Sequence, residues 1–378
     1  MDSLERFATE KLARLDATGL KRTLATTSRA SGAVVWHDGQ RLISFSCNDY
    51  LNLSTHPDVI AAALGATQAY GVGAGASRAV TGNHPLYAAL ESRLAALKGT
   101  QDAVVFGSGY LANSGIIPAL LGTADVAFVD ALAHACIWAG AKRSGAKIIT
   151  FAHNSTADLT NLLAAHRAQY RHALIATDTV FSMDGDLAPL DALADLAAAH
   201  DSWLLSDDAH GLGVVPRQPG AGRVQLQMGT LSKAIGGYGG YLCASANIIA
   251  LIRNRASSFI YSTGLPPASI ASAIAALDFI ALNPAYAALP LAKAQQFTAA
   301  LGLQPAQSPI VPVILGDARA ALAASKMLQE HGFLVTAIRP PTVPYGTARL
   351  RCTFSAAHGD ADIDRLAGLV ADLLAKKS

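Results

Sequence analysis

Short apolar runs alternate with helical patterns through the middle of the chain, and nearly every run stops at a turn rich in small or polar residues. Residues 103–106 (AVVF) end at GSGY, 125–129 (DVAFV) at DALAH, and 146–151 (AKIITF) at AHNS. Ser155 and Asp158 then have capping-box spacing, and Leu159, Leu162, Leu163 and His166 mark one helix face. Residues 173–177 (ALIAT) end at DTVFSMDGD, ahead of a helix near 189–200, and 203–206 (WLLS) end at DDAHG. Residues 224–228 run into GTLSK, and 240–244 (GYLCA) read as one more strand. Strands separated by helices predict βαβ units, hence an α/β fold with a mostly parallel sheet covered on both faces. Pro-rich segments fall late, near 265–267 and 340–344, with a long connecting helix predicted over 268–282. The expected division is a helical segment and arm (1–45), a large domain (46–275) and a smaller C-terminal α+β domain (276–378).

Composition narrows the class. Of 378 residues 51% are hydrophobic but only 6% aromatic, which suits Ala-rich helices packed closely on a sheet. Net charge is +2 with no basic run, so neither nucleic acid nor an anionic membrane surface is an expected partner. Asn113, Ser114, Pro118 and Asp125 interrupt one apolar stretch, and Asp278, Asn283 and Pro284 another, so neither has the ~18 unbroken apolar residues of a span. The N-terminal MDSLERFATEKLARLD has helical spacing and no secretory h-region. Cys47, Cys136, Cys243 and Cys352 are far apart, and thiols so placed fit a reduced cytoplasm. The expectation is a soluble cytoplasmic protein.

In an open parallel sheet, ligands bind beyond the carboxyl ends of the strands. Those ends carry Ser108–Gly109–Tyr110, His134, Ser182, Asp207 with His210, and Thr230 with Lys233. A Gly turn entering a helix offers free N–H groups to a phosphate, and Thr230 and Ser232 add hydroxyls. Asp207 follows a buried strand, where a carboxylate is costly unless it meets a cation such as a protonated ring nitrogen. Lys233 supplies an amine for an aldehyde. Taken singly, Asp207 reads as a turn cap, His134 and His210 as loop histidines, and Lys233 as a solvated charge. Taken together, in strand order, they describe pyridoxal 5'-phosphate (PLP) held as a Schiff base. GVGAG at 71–75 lacks the full dinucleotide spacing, GGYGG at 236–240 fits a bend, and no histidine pair has metal-ligand spacing.

The set SCNDYL, FGSGYLANSG, DALAHA, TDTVFSMDGD, DDAHGLGV and GTLSKAIGGYGG resembles the α-oxoamine synthases, PLP enzymes of the type I aminotransferase fold. The resemblance runs from about residue 20 to 370. The segment TAIRPPTVPYGTARLRCTFSAAH (336–358) is most similar to the branch that joins L-alanine to a pimeloyl thioester in biotin synthesis. Sister branches, such as the glycine C-acetyltransferases, share its VP-G-AR-R…SAAH frame and are the alternative.

The resemblance implies a decarboxylative condensation of L-alanine with pimeloyl-CoA, or its acyl-carrier-protein equivalent. It makes Lys233 the Schiff-base lysine and the acid/base at the α-carbon. It pairs Asp207 with the pyridine nitrogen, His210 with the phenolic oxygen, and stacks His134 over the ring. Gly109, Tyr110, Ser182 and Thr230 would line the cofactor. Arg339 would bind the amino-acid carboxylate with Asn48 nearby, while Thr342 and Arg22 would face the acyl substrate. A homodimer is also implied, with Ser262 and Thr263 as candidates to reach the neighbouring phosphate. Asn52, Tyr87 and Cys47 depart from the family pattern (usually glycine, histidine and serine), which bears on acyl-pocket detail rather than on the reaction.

Overall fold

A seven-stranded sheet forms the centre of the molecule, seen here in a computed structural model that describes residues 2–30 and 32–375. Its order is Asp102–Phe106, Gly240–Ala244, Leu226–Thr230, Trp203–Asp207, Ala173–Asp178, Val126–Asp130, Lys147–Phe151. Gly240–Ala244 runs antiparallel to both neighbours, and the other pairings are parallel. Six of these strands are buried without alternation because helices cover both faces: Val126–Asp130, Ala173–Asp178, Leu226–Thr230 and Gly240–Ala244 are buried at every position, and Asp102–Phe106 and Trp203–Asp207 at all but the first. Each fully buried Val, Leu, Ile or Phe there contributes about 1.5–3 kcal/mol.

Every predicted strand of this sheet forms. One is displaced: the run expected at 224–228 becomes Leu226–Thr230. Ala221–Arg223 makes a 3-10 turn whose end uses the Val224 N–H, bonded to Ala221 O at 3.4 Å, so pairing starts two residues later. Thr230 is therefore the last residue of the strand, and buried.

The C-terminal unit is built on an antiparallel sheet of Ile310–Gly316, Ala348–Thr353 and Thr336–Ile338. The N-terminal arm joins it. Gln40–Ser44 pairs with Phe333–Leu334, and Phe45 stacks on His358 with ring centroids 3.9 Å apart inside the C-terminal core. Pro267–Leu282 packs instead on the large-domain helices Pro57–Tyr70 and Leu86–Lys98. Ser3–Ala17, capped by Asp2, buries none of its residues. No single helix among the described residues is long and apolar enough to cross a membrane.

Candidate active site

Lys233 sits in a turn whose glycines are structurally required. Gly236 holds φ +71°, and a Cβ there would lie 2.4 Å from Ser54 N. At Gly240 a Cβ would lie 2.5 Å from Ser108 O and 2.6 Å from Gly109 N, so this glycine lets the returning strand touch the 108–109 turn. Lys233 Nζ thus comes within 2.6 Å of His210 Nε2. Burial lowers the Lys233 amine to about 8, against the opposing pull of Asp207 and Asp178. His210 is buried, and that burial, reinforced by the charge of Lys233, holds its pKa well below the ordinary value. Its Nδ1 lies 2.7 Å from the Tyr50 hydroxyl, whose pKa burial raises to about 12.

Beneath the lysine lies an acidic pair. Asp207 ends its strand 3% exposed, and its oxygens accept from Asn113 Nδ2 at 2.7 Å and Ala209 N at 3.0 Å. Asp178, one strand over, accepts the His134 backbone N–H at 2.7 Å. Burial, and then the charge of Asp207, raise the Asp178 pKa well above the carboxylate range. His134 caps the helix Ala135–Ser144, with Nδ1 accepting the Cys136 N–H at 3.3 Å and facing Cys136 Sγ at 2.8 Å. Its pKa is lowered, by desolvation first. An Nδ1 that accepts from backbone leaves the ring proton on Nε2.

Facing these groups is the start of the helix Gly109–Leu120, capped by Ser108 Oγ, which accepts the Leu111 N–H at 3.1 Å. A Cβ on Gly109 would lie 3.5 Å from Thr230 Oγ1, so helix end and threonine form one cradle. Thr230 Oγ1 is tied to Gly239 O at 2.8 Å and to Ser232 Oγ at 2.8 Å. Tyr110 is exposed, and such a helix start presents unpaired N–H groups.

The C-terminal sheet closes the opposite side. Ala348–Thr353 sends Ala348, Leu350 and Cys352 into its own core, which turns Arg349 and Arg351 toward the large domain. Arg351 Nε donates to Ser182 O and Nη1 donates to Asn48 Oδ1 at 3.1 Å, while Nη2 is buried without a hydrogen-bond partner. Its charge reaches His210, Tyr50 and Lys233. Arg22 Nη2 donates to Thr342 Oγ1 at 3.2 Å, uniting two residues 320 positions apart. Arg339 donates to Gly19 O, at the end of the N-terminal helix, and shares no hydrogen bond with the lysine cluster. Thr263 forms an antiparallel bridge with Ser77, and Ser262 precedes it. Sequence reasoning missed Arg351, Asn113, Tyr50 and Asp178; the alternation of Ala348–Thr353 was the available signal for the first.

PLP fits this donor set. A carboxylate buried without an ion-pair partner among the described residues suits a pyridinium N–H, and a basic amine suits an aldehyde. A helix start beside a threonine suits a phosphate. Residues 40–370 match the family model of class I and II aminotransferases. The chain is 59% identical over 377 residues to an 8-amino-7-oxononanoate synthase of Granulibacter bethesdensis, covering 99% of each chain. With that of Beijerinckia indica the identity is 57% over 385 residues and covers 100% of both. The chain belongs to the 8-amino-7-oxononanoate synthase family. A serine palmitoyltransferase variant from S. paucimobilis, solved with a bound PLP–myriocin aldimine, superposes with TM-score 0.92 at 28% identity, over 100% of this chain and 99% of that one. The protein therefore has the type I PLP-dependent fold, and its cofactor is PLP, as the synthase family requires.

Proposed function

We propose that the protein condenses L-alanine with pimeloyl-CoA, or the acyl-carrier-protein thioester, to give 8-amino-7-oxononanoate, free thiol and CO2. The observation that carries this reading is the buried Lys233 amine, lowered to about 8 among His210, Asp207 and Asp178. PLP, when bound, supplies an electron sink for the alanine α-carbon. Lys233 would hold the aldehyde carbon, Asp207 the ring nitrogen, and the 108–110 turn with Thr230 the phosphate. His210 would take the phenolic oxygen.

Lowered to about 8, the Lys233 amine is more accessible as free base near neutral pH than an ordinary lysine, so it can take a proton from the alanine α-carbon and return one to the product. Asp207, its oxygens fixed by the Asn113 amide and the Ala209 N–H, would face the ring nitrogen. His134, neutral with its proton on Nε2, donates a hydrogen bond rather than a charge. The buried free N–H of Arg351 is the better-placed partner for the alanine carboxylate, with Asn48 fixing its other nitrogen. Arg339 is then left, with Arg22 and Thr342, on the thioester side. Cleavage of the thioester carbon–sulfur bond releases the thiol as the new carbon–carbon bond forms, and the alanine carboxylate leaves as CO2.

We also read the chain as a cytoplasmic homodimer. Four free thiols suit a reducing compartment, and Val72, Val80 and Tyr261 stand 74–84% exposed around the Ser77–Thr263 bridge, an apolar patch that suits a second copy. The product's mass, measured after incubation with alanine and pimeloyl-CoA, tests the reaction. A product formed only with glycine and acetyl-CoA overturns it.

A further inference from the structure

Among the described residues, Asn113 is the one fully buried side-chain amide that hydrogen-bonds the ring-binding acid. It lies 0% exposed, one turn into the helix whose first residues form the phosphate cradle. One Nδ2 proton reaches Asp207 Oδ2 at 2.7 Å, and the other is directed at Cys136 Sγ at 3.2 Å. That sulfur lies 2.8 Å from His134 Nδ1 and 3.8 Å from Asp207 Oδ2. A single side chain therefore joins three elements: the phosphate-binding helix, the Asp207 strand and the turn bearing His134.

The amide orientation is decided by chemistry. Turned over, Asn113 would set its carbonyl oxygen against a carboxylate, two acceptors in contact. As it stands, Asn113 Oδ1 is buried with no hydrogen-bond partner. A side chain kept only for packing would avoid an unsatisfied acceptor, since burial of one is costly. Every polar contact that Asn113 makes through its side chain goes to the site. An apolar residue of similar volume would fill the same space without that cost, so the amide's contribution lies in what it donates to.

We propose that Asn113 is the positioning residue for Asp207. It orients the carboxylate toward the ring nitrogen, and through Cys136 it keeps the His134 ring in register with it. The helix Gly109–Leu120 then grips the cofactor at both ends: directly at the phosphate, and through Asn113 and Asp207 at the ring. This rests on PLP as the cofactor and on Asp207 as the partner of its ring nitrogen.

The test is a double-mutant cycle read as the PLP dissociation constant of the full-length protein, with the pH titration of the bound cofactor's visible absorbance as a second readout. In the Asp207-containing protein, Asn113→Ala weakens PLP at least tenfold and moves the absorbance midpoint. In the Asp207→Asn background the same change costs less than threefold, because the charge that Asn113 serves is gone. An equal loss in both backgrounds, or a loss below threefold with Asp207 present, overturns the proposal. Should Asn113→Ala not fold, Asn113→Ser, whose hydroxyl is too short to reach Asp207, is read in the same cycle. Wild-type protein that fails to bind PLP overturns the cofactor assignment instead, so the two failures are distinct.

Discussion

The Lys233 amine lies 2.6 Å from His210 Nε2, and His210 in turn lies 2.7 Å from the Tyr50 hydroxyl. Burial keeps the imidazole neutral and keeps the Tyr50 proton in place, so no counter-ion contacts the amine directly. The result is a lysine amine lowered by burial from the ordinary 10.5 to about 8.

The rate of PLP capture by the apoprotein reports that lowering. Only the free amine attacks an aldehyde, so the second-order rate should rise about tenfold per pH unit below 8 and level off above it. Stopped-flow absorbance measures it. A midpoint near the ordinary lysine value of 10.5 would mean that burial does not lower this amine.

The proposed reading assigns Arg351 to alanine and Arg339 to the thioester. Replacing Arg351 by Lys keeps a charge but loses the fork that leaves Nη2 free, so kcat/KM for alanine should fall roughly 100-fold, about 2.7 kcal/mol. The dissociation constant for PLP should stay within about threefold, since the remaining PLP contacts are untouched. Arg339→Ala should instead raise KM for the thioester, because its contact is with the Gly19 end of the arm that brings Arg22 to Thr342. Steady-state kinetics with each substrate varied separates the two, and the reverse pattern would restore Arg339 to the carboxylate.

Gly240→Ala tests the cradle without touching a polar group. The added methyl would lie 2.5 Å from Ser108 O and 2.6 Å from Gly109 N, both backbone atoms that cannot rotate away. The turn must move, and the helix N-terminus with it. PLP affinity should drop by tenfold or more, read by fluorescence titration, with the far-ultraviolet dichroism unchanged. Gly65, which has nothing within 4 Å of its Cβ position and no positive φ, has no such neighbour to displace and serves as the comparison site.

How far the sequence discloses this site follows from where each residue gets its position. Six of the seven strands are legible because near-continuous burial leaves near-continuous apolar runs, and strand ends then locate Gly109, His134, Asp207 and Lys233. Arg351 is hidden for a different reason. Its neighbours Asn48 and Ser182 lie 303 and 169 positions away in the chain, and only tertiary packing assembles them. Asn113 is visible in the sequence merely as a polar break in an apolar helix, because its partner Asp207 is 94 positions distant. The pairing of the arm is hidden for the same reason: Gln40–Ser44 is short and finds Phe333–Leu334 only in three dimensions.

His153 carries the last prediction, on stability. Its Nδ1 lies 3.0 Å from Asp130 and its Nε2 2.8 Å from Asp186, and Asp130 is fully buried. Burial alone would lower this imidazole; the two carboxylates prevail and raise it to about 10. A base whose folded pKa exceeds its unfolded value near 6.5 stabilises the fold fully below 6.5 and loses that contribution as pH climbs through 10. The ring is partly exposed, so solvent screening reduces the face value of the shift, and about 2 kcal/mol is the expected size. His153→Gln, which keeps hydrogen bonding but not charge, should therefore lower Tm by several degrees at pH 6 to 8. The gap should narrow steadily as pH approaches 10. Asp186 belongs to the loop that also carries Ser182, and Asn154 Nδ2 donates to the same Asp186 oxygen at 2.8 Å, so the loop should loosen with the charge. A gap that does not change from pH 6 to 10 would show that His153 acts by packing rather than as a cation.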